Sequence, residues 1–218
     1  MKKIFFMHIP KTGGMSFSQF LKDQFNEGRI FPKRNLSELD IIDLQSIKHY
    51  SLIAGHFDSR VINYLPCDIT KVVFFREPVS LTISAIKHAI RDINFRPANL
   101  DIEGKTLQQI IRDEKIALKF CNLQTGYLSS LPYFENYPNL SKDDFATDEI
   151  IINFDQASKN LRLFDFVGIF EEYHESVICF ANLVDFFEPK LTQKLNVAPS
   201  YSDFLSSEDL DVVRKWLF

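Results

Sequence analysis

The stretch HIPKTGGMSF sets Lys11 and Thr12 ahead of two glycines, Gly13 and Gly14, with Ser16 just beyond. Glycines let a backbone approach an anion closely, and the N–H groups that open a helix attract it. Lys11 adds a full positive charge, while Thr12 and Ser16 offer hydroxyl donors. A second basic feature lies in FFREPVSLTIS, where Arg76 is followed eight residues later by Ser84. Arginine forks onto a phosphate with two parallel hydrogen bonds. Each feature alone has a plainer reading: KTGG as a strand-to-helix turn, and Arg76 as the ion-pair partner of Glu77 or another acid. Both follow short apolar runs, however, and two anion sites along one sheet edge account for them together.

The order of residues in the first loop is informative. A triphosphate-binding loop places its lysine after the last glycine, in the pattern GxxxxGK[ST], and that full pattern does not occur. The glycine pattern of a dinucleotide fold, GxGxxG, is absent too.

A group that takes a proton is sought among His8, His49, His56, His88 and His174. Imidazole titrates near neutrality, about 6.5, and suits general base work. His56 follows Gly55 at the end of an apolar run, on the sheet edge expected for the glycine loop, and is the candidate base. His8 ends the first run and is read mainly as structural, with support of the anion loop as the lesser alternative. Lys87 and Arg91 share a helix face with Ser84 and read as solvated charges, as do Lys190 and Lys194.

The elements that position these groups follow from periodicity. Apolar runs ending near His8, Ala54 and Phe75, and a fourth in FDFVGIF, read as strands. Phe17, Phe20, Leu21 and Phe25 recur at helical spacing after Gly14. Pro78 suits the first turn of a helix whose apolar face carries Val79, Ile83, Ile86 and Ile90. TLQQIIRDEKIALKF reads as one helix, ATDEIIINFDQASKNLRLF as another capped by Asp148, and EEYHESVICFANLVDFF as a third. SSEDLDVVRKWL is a last helix capped by Ser206 or Ser207. Strands alternating with helices predict an α/β chain with a central, mostly parallel sheet flanked by helices.

The 218 residues, 45% of them hydrophobic, suffice for one sizeable core, so a single domain over 1–218 is expected. With 29 acidic against 25 basic residues the formal charge is -4, which argues against a surface that coats nucleic acid. Cys67, Cys121 and Cys179 form no CxxC pair and read as buried thiols, so no metal site is expected. The apolar start is too short for a signal peptide or a membrane span, and a cytoplasmic protein is expected. The apolar end Trp216-Leu217-Phe218 is one that would be buried or continued.

HIPKTGGMSF resembles the 5'-phosphosulfate loop of sulfotransferases related to heparan sulfate 2-O-sulfotransferase and its bacterial relatives, which usually read Lys-Thr-Gly-Gly-Thr-Ser. FFREPVSLTISAIKHAIRD resembles their 3'-phosphate segment, and AGHF their Gly-His pair. NLQTGYL and FDFVGIFEEYHESV resemble later segments. The sequence departs at Met15, where threonine is usual, and at Glu77, where aspartate is common.

The resemblance implies a P-loop nucleotide-binding-like three-layer fold and a donor, 3'-phosphoadenosine 5'-phosphosulfate, used without a metal. It assigns Lys11, Thr12, Gly13, Gly14 and Ser16 to the phosphosulfate and Arg76 with Ser84 to the 3'-phosphate. His56 would be the base, and Lys11 would stabilise the leaving phosphate of the product, 3'-phosphoadenosine 5'-phosphate. The acceptor would be a hydroxyl on a carbohydrate or small molecule, walled by the segments from Asn94 to Lys105 and from Ser129 to Asp144. The alternatives are a non-catalytic nucleotide-binding module and a P-loop kinase-like phosphotransferase. Neither acceptor identity nor oligomeric state follows from the sequence.

Overall fold

Residues 2–96, 100–129, 153–186 and 205–217 are described in the computed structural model of the chain. From the N-terminus the elements are β1 (Ile4–Met7), α1 (Gly14–Lys22), α2 (Ile41–Ser46), β2 (Leu52–Gly55), β3 (Thr70–Phe75) and α3 (Pro78–Arg91). There follow α4 (Leu107–Arg112), α5 (Glu114–Ala117), α6 (Leu123–Ser129), α7 (Phe154–Leu161), β4 (Phe166–Ile169), α8 (Tyr173–Leu183) and α9 (Ser207–Lys215). They fall into two compact units: Met1–Phe75 with Gln124–Leu195, and Arg76–Leu123 with Asn196–Phe218.

The first unit holds the sheet. Its strands are all parallel and ordered β2-β1-β3-β4. Period-two alternation sends successive side chains to opposite faces. Ile4, Phe6, Leu52, Ala54, Val72 and Phe74 therefore pack on one face with Phe17 and Leu21 of α1 and Val177 and Phe180 of α8. Phe5, Met7, Ile53 and Val73 pack on the other with Leu44 of α2, Val61, Leu128 of α6 and Ala157 of α7. Apolar cover on both faces is what makes an all-parallel sheet stable, and it gives this unit three layers.

Strand order also marks a topological switch point. From β1 the chain leads to β2 on one side, whereas β3 neighbours β4 on the other. In open parallel sheets ligands bind beyond the carboxyl ends of the strands at such a reversal, here between β1 and β3. The glycine loop follows β1 directly, and Arg76 is the residue after the end of β3.

The second unit is helical. Val79, Ile83, Ile86 and Ala89 of α3 form its core with Ile110, Ile111, Phe120, Val213 and Leu217. Pro78 opens α3, and the Glu77 carboxylate accepts from the N–H groups of Val79 at 3.0 Å and Ser80 at 2.7 Å. Burial works against that charge, yet these bonds hold the Glu77 carboxyl below its ordinary range. Ser206 caps α9, accepting from Asp209 N–H at 3.1 Å, and Arg112 pairs with Asp209 at 2.8 Å.

Three expectations are corrected. Of the cysteines only Cys121 is buried, while Cys67 and Cys179 are exposed. The stretch after Thr106 is two helices, α4 and α5, because Asp113 turns to an extended ψ of 102° and its carboxylate caps the Ile116 N–H. The helix expected from residue 146 is α7 from Phe154, capped by Asn153, which accepts from Gln156 N–H at 2.9 Å. Asp148 lies outside the described residues, as do Lys190, Lys194 and most of the segment from Ser129 to Asp144. Among the described residues no helix is long and apolar enough to cross a membrane.

Candidate functional site

The loop between β1 and α1 is built around two left-handed residues. Lys11 has φ 69° and Gly13 φ 82°, while Thr12 between them lies outside that region. Anion-binding nests use left-handed residues in alternation with right-handed ones, and this loop supplies two left-handed positions. Thr12 is fully buried and its hydroxyl donates to the Ile9 carbonyl at 2.8 Å, closing the loop from within. A left-handed lysine costs about 1–2 kcal/mol, so the loop holds Lys11 in a conformation its side chain does not favour.

Gly13 is also the N-cap of α1 and has no side chain to cap that end, and no acid occupies the first turn. The dipole of this nine-residue helix thus meets the loop with no carboxylate in its own first turn, which favours an anion there.

Both glycines are required by space. A Cβ on Gly13 would come within 2.7 Å of the Phe170 ring, and one on Gly14 would run into the His8 ring. Ser16 is buried and hydrogen-bonds the Tyr173 hydroxyl, whose titration burial pushes up to about 12. Met15 is exposed.

The β1–β2 register places His56 beside this loop. Met7 pairs with Gly55, so the next residues, His8 and His56, stand side by side with ring centroids 4.3 Å apart. His56 Nδ1 lies 2.7 Å from the His8 carbonyl oxygen. A carbonyl only accepts, so Nδ1 carries the hydrogen and Nε2 keeps its lone pair. The backbone is pinned on the far side, where His56 N–H donates to the Arg34 carbonyl at 2.6 Å. A Cβ on Gly55 would collide with the Arg34 backbone, which accounts for a glycine before the histidine.

Burial lowers the titration of both imidazoles. His8 is pushed down to about 3 by burial, with the charges of His56 and Lys11 adding to the effect. For His56 burial again lowers, opposed by the bond to the His8 carbonyl. Both rings are neutral at pH 7.

One unit therefore brings together Lys11, Thr12, Gly13, Gly14, Ser16 and His56. Arg76 and Ser84, both half-buried, belong to the second unit, Arg76 before the cap of α3 and Ser84 within it. His49 is exposed, and the His88 ring packs on Phe95 at 4.3 Å. Sequence reasoning missed Phe170, Tyr173 and Arg34 as parts of the site. For Tyr173 the signal was its inward helical position, but nothing local marks a hydroxyl that reaches Ser16. Comparison with known proteins adds no assignment: no family model matches the chain, and no curated protein matches it.

Proposed function

We propose that the chain is a sulfotransferase that moves a sulfuryl group from 3'-phosphoadenosine 5'-phosphosulfate to a hydroxyl, with a carbohydrate as the expected acceptor and no metal. The observation that carries this reading is the juxtaposition of His56, whose Nδ1–H is turned to the His8 carbonyl and whose Nε2 is left to accept a proton, with the glycine loop bearing Lys11. Binding of an anion would need the loop alone. A neutral imidazole turned to accept a proton beside it adds what transfer to a hydroxyl requires.

The acceptor oxygen attacks sulfur in line with the departing phosphate oxygen. As the new oxygen–sulfur bond forms, the hydroxyl proton passes to His56 Nε2 and the old sulfur–oxygen pair stays with the 5'-phosphate. Lys11 and the N–H groups opening α1 stabilise the charge gathered there. By analogy with loose phosphoryl transfer, positioning and charge account for most of the acceleration. Arg76 and Ser84 are assigned the 3'-phosphate on the sequence resemblance.

Turnover with sulfur-labelled donor and a panel of hydroxyl acceptors tests the reading. His56→Ala abolishes transfer and leaves binding of 3'-phosphoadenosine 5'-phosphate nearly intact, whereas Arg76→Ala weakens that binding. Product-nucleotide binding without transfer to any acceptor would replace the enzyme by a binding module. Magnesium-dependent hydrolysis of ATP would replace it by a phosphotransferase.

A further inference from the structure

His8 makes four contacts, of which the sulfotransferase reading uses only the first. Its carbonyl oxygen accepts from His56 Nδ1 at 2.7 Å. Its ring lies on the His56 ring at 4.3 Å between centroids and 31° between planes. On its other sides the same ring is stacked with Phe6 at 5.5 Å and 13°, and it fills the space a Gly14 side chain would need. The imidazole is thus clamped between the sheet, the start of α1 and the candidate base, and only 9% of the residue is exposed.

We propose that His8 is the positioning residue of the base. Its carbonyl oxygen fixes which nitrogen of His56 carries the hydrogen, and its ring keeps the His56 imidazole turned and shielded from water. The inference rests on the reading of His56 as a general base, but its physical content concerns the free protein.

The clamp has a mechanical logic. A histidine has two side-chain torsions: the first moves the whole ring, and a half-turn about the second exchanges the places of its two nitrogens. The Arg34 carbonyl holds the His56 backbone, and the His8 carbonyl holds one ring nitrogen. Stacking by His8 blocks the remaining rotation out of that plane. A neutral ring suits the place, because a second charge at this separation would oppose the imidazolium that forms when His56 takes a proton.

Charged side chains on the surrounding elements are Lys11 after β1, Arg34 and Glu38 on the stretch that pairs with His56, and Asp58 with Arg60 following it. Asp58 and Arg60 bond each other at 2.8 Å, and the Glu38 carboxylate accepts from the Arg34 N–H at 3.0 Å. For His56 itself the causes are burial and the His8 carbonyl. Removing the ring that buries it is therefore the change that moves its titration.

The test is a titration of His56 ring resonances by nitrogen-15 NMR in the unliganded protein, for wild type, His8→Ala and His8→Phe. In wild type the Nδ1–H form is expected at neutral pH. In His8→Ala, water reaches the ring, so the midpoint rises toward the ordinary 6.5, while the backbone carbonyl remains and keeps the Nδ1–H tautomer. In His8→Phe, which keeps a stacked ring, the single tautomer and the lowered midpoint persist. An unchanged midpoint in folded His8→Ala would overturn the proposal, and so would loss of the Nδ1–H tautomer there or a His8→Phe protein that behaves like His8→Ala. The readout needs neither donor nor acceptor, so a failed transfer assay with the titration as expected would tell against the sulfotransferase reading alone.

Discussion

The ring of His8 occupies the space that a side chain on Gly14 would take. Gly14 is the first residue of α1, and His8 follows the last residue of β1, so one contact ties the helix start to the strand end. Adding a methyl group there forces the ring aside. Gly14→Ala is expected to cost about 1–3 kcal/mol, the usual range for overpacking a filled interior. Chemical denaturation measures it, with Gly28→Ala as the control because a Cβ there meets nothing within 4 Å. Equal stability of the two variants would show that the His8 ring moves away at no cost.

Lys11 is held at φ 69°, a conformation that glycine adopts freely and lysine does not. Lys11→Gly is therefore expected to be more stable than Lys11→Ala, by about 1 kcal/mol, since both lose the same side-chain contacts and only one escapes the strain. Both variants lose the charge that would stabilise a leaving phosphate, so both lose turnover. Denaturant midpoints separate strain from charge. A Lys11→Gly protein less stable than Lys11→Ala would mean that the left-handed lysine is not strained.

Stability should fall as pH is lowered from neutrality. His8 titrates at about 3 in the folded chain against 6.5 in the unfolded one. Below pH 6.5 the unfolded chain binds a proton that the folded chain refuses, so protons favour unfolding. The stabilisation is complete above 6.5 and is lost as pH drops toward 3, with His56 contributing in the same direction. Between pH 6 and 5 the His8 contribution is about 1 kcal/mol. Unfolding free energies measured at those two pH values check it, and His8→Phe should flatten the slope.

Much of the architecture was legible because its signals are local. β3 and α3 were readable from a run of valine and phenylalanine stopped at Pro78, and α1 from Phe17 and Leu21 behind a glycine pair. The split between α4 and α5 was not, since the apolar spacing runs through Asp113 without a break and only its extended backbone marks the division. Residues 26–50 carry α2 and the bridges Ile30↔Leu52 and Asn35↔His56, which arise from pairing with a distant strand and leave no periodic trace. The candidate site divides in the same way. The loop residues declare themselves by type and spacing, whereas the contact of His8 with His56 depends on strand register, and that of Ser16 with Tyr173 on packing across two helices.

That last contact can be isolated. The Tyr173 hydroxyl meets Ser16 at the start of α1, while its ring packs at 5.8 Å from Phe74 in the core. Tyr173→Phe removes the hydrogen bond and keeps the ring, so folding should survive. Tyr173→Ala removes a buried aromatic, at a cost of about 3–5 kcal/mol. If Tyr173 aims the Ser16 hydroxyl at the bound anion, Tyr173→Phe weakens binding of 3'-phosphoadenosine 5'-phosphate by about five-fold, the equivalent of one hydrogen bond of about 1 kcal/mol. Ser16→Ala should have a similar effect, and the double variant should lose little more than either single one, because both remove the same contact. Calorimetric titration of the four proteins closes the cycle. Fully additive losses would mean that Ser16 and Tyr173 act separately, and that the bond between them serves the packing of α8 on α1 rather than the anion loop.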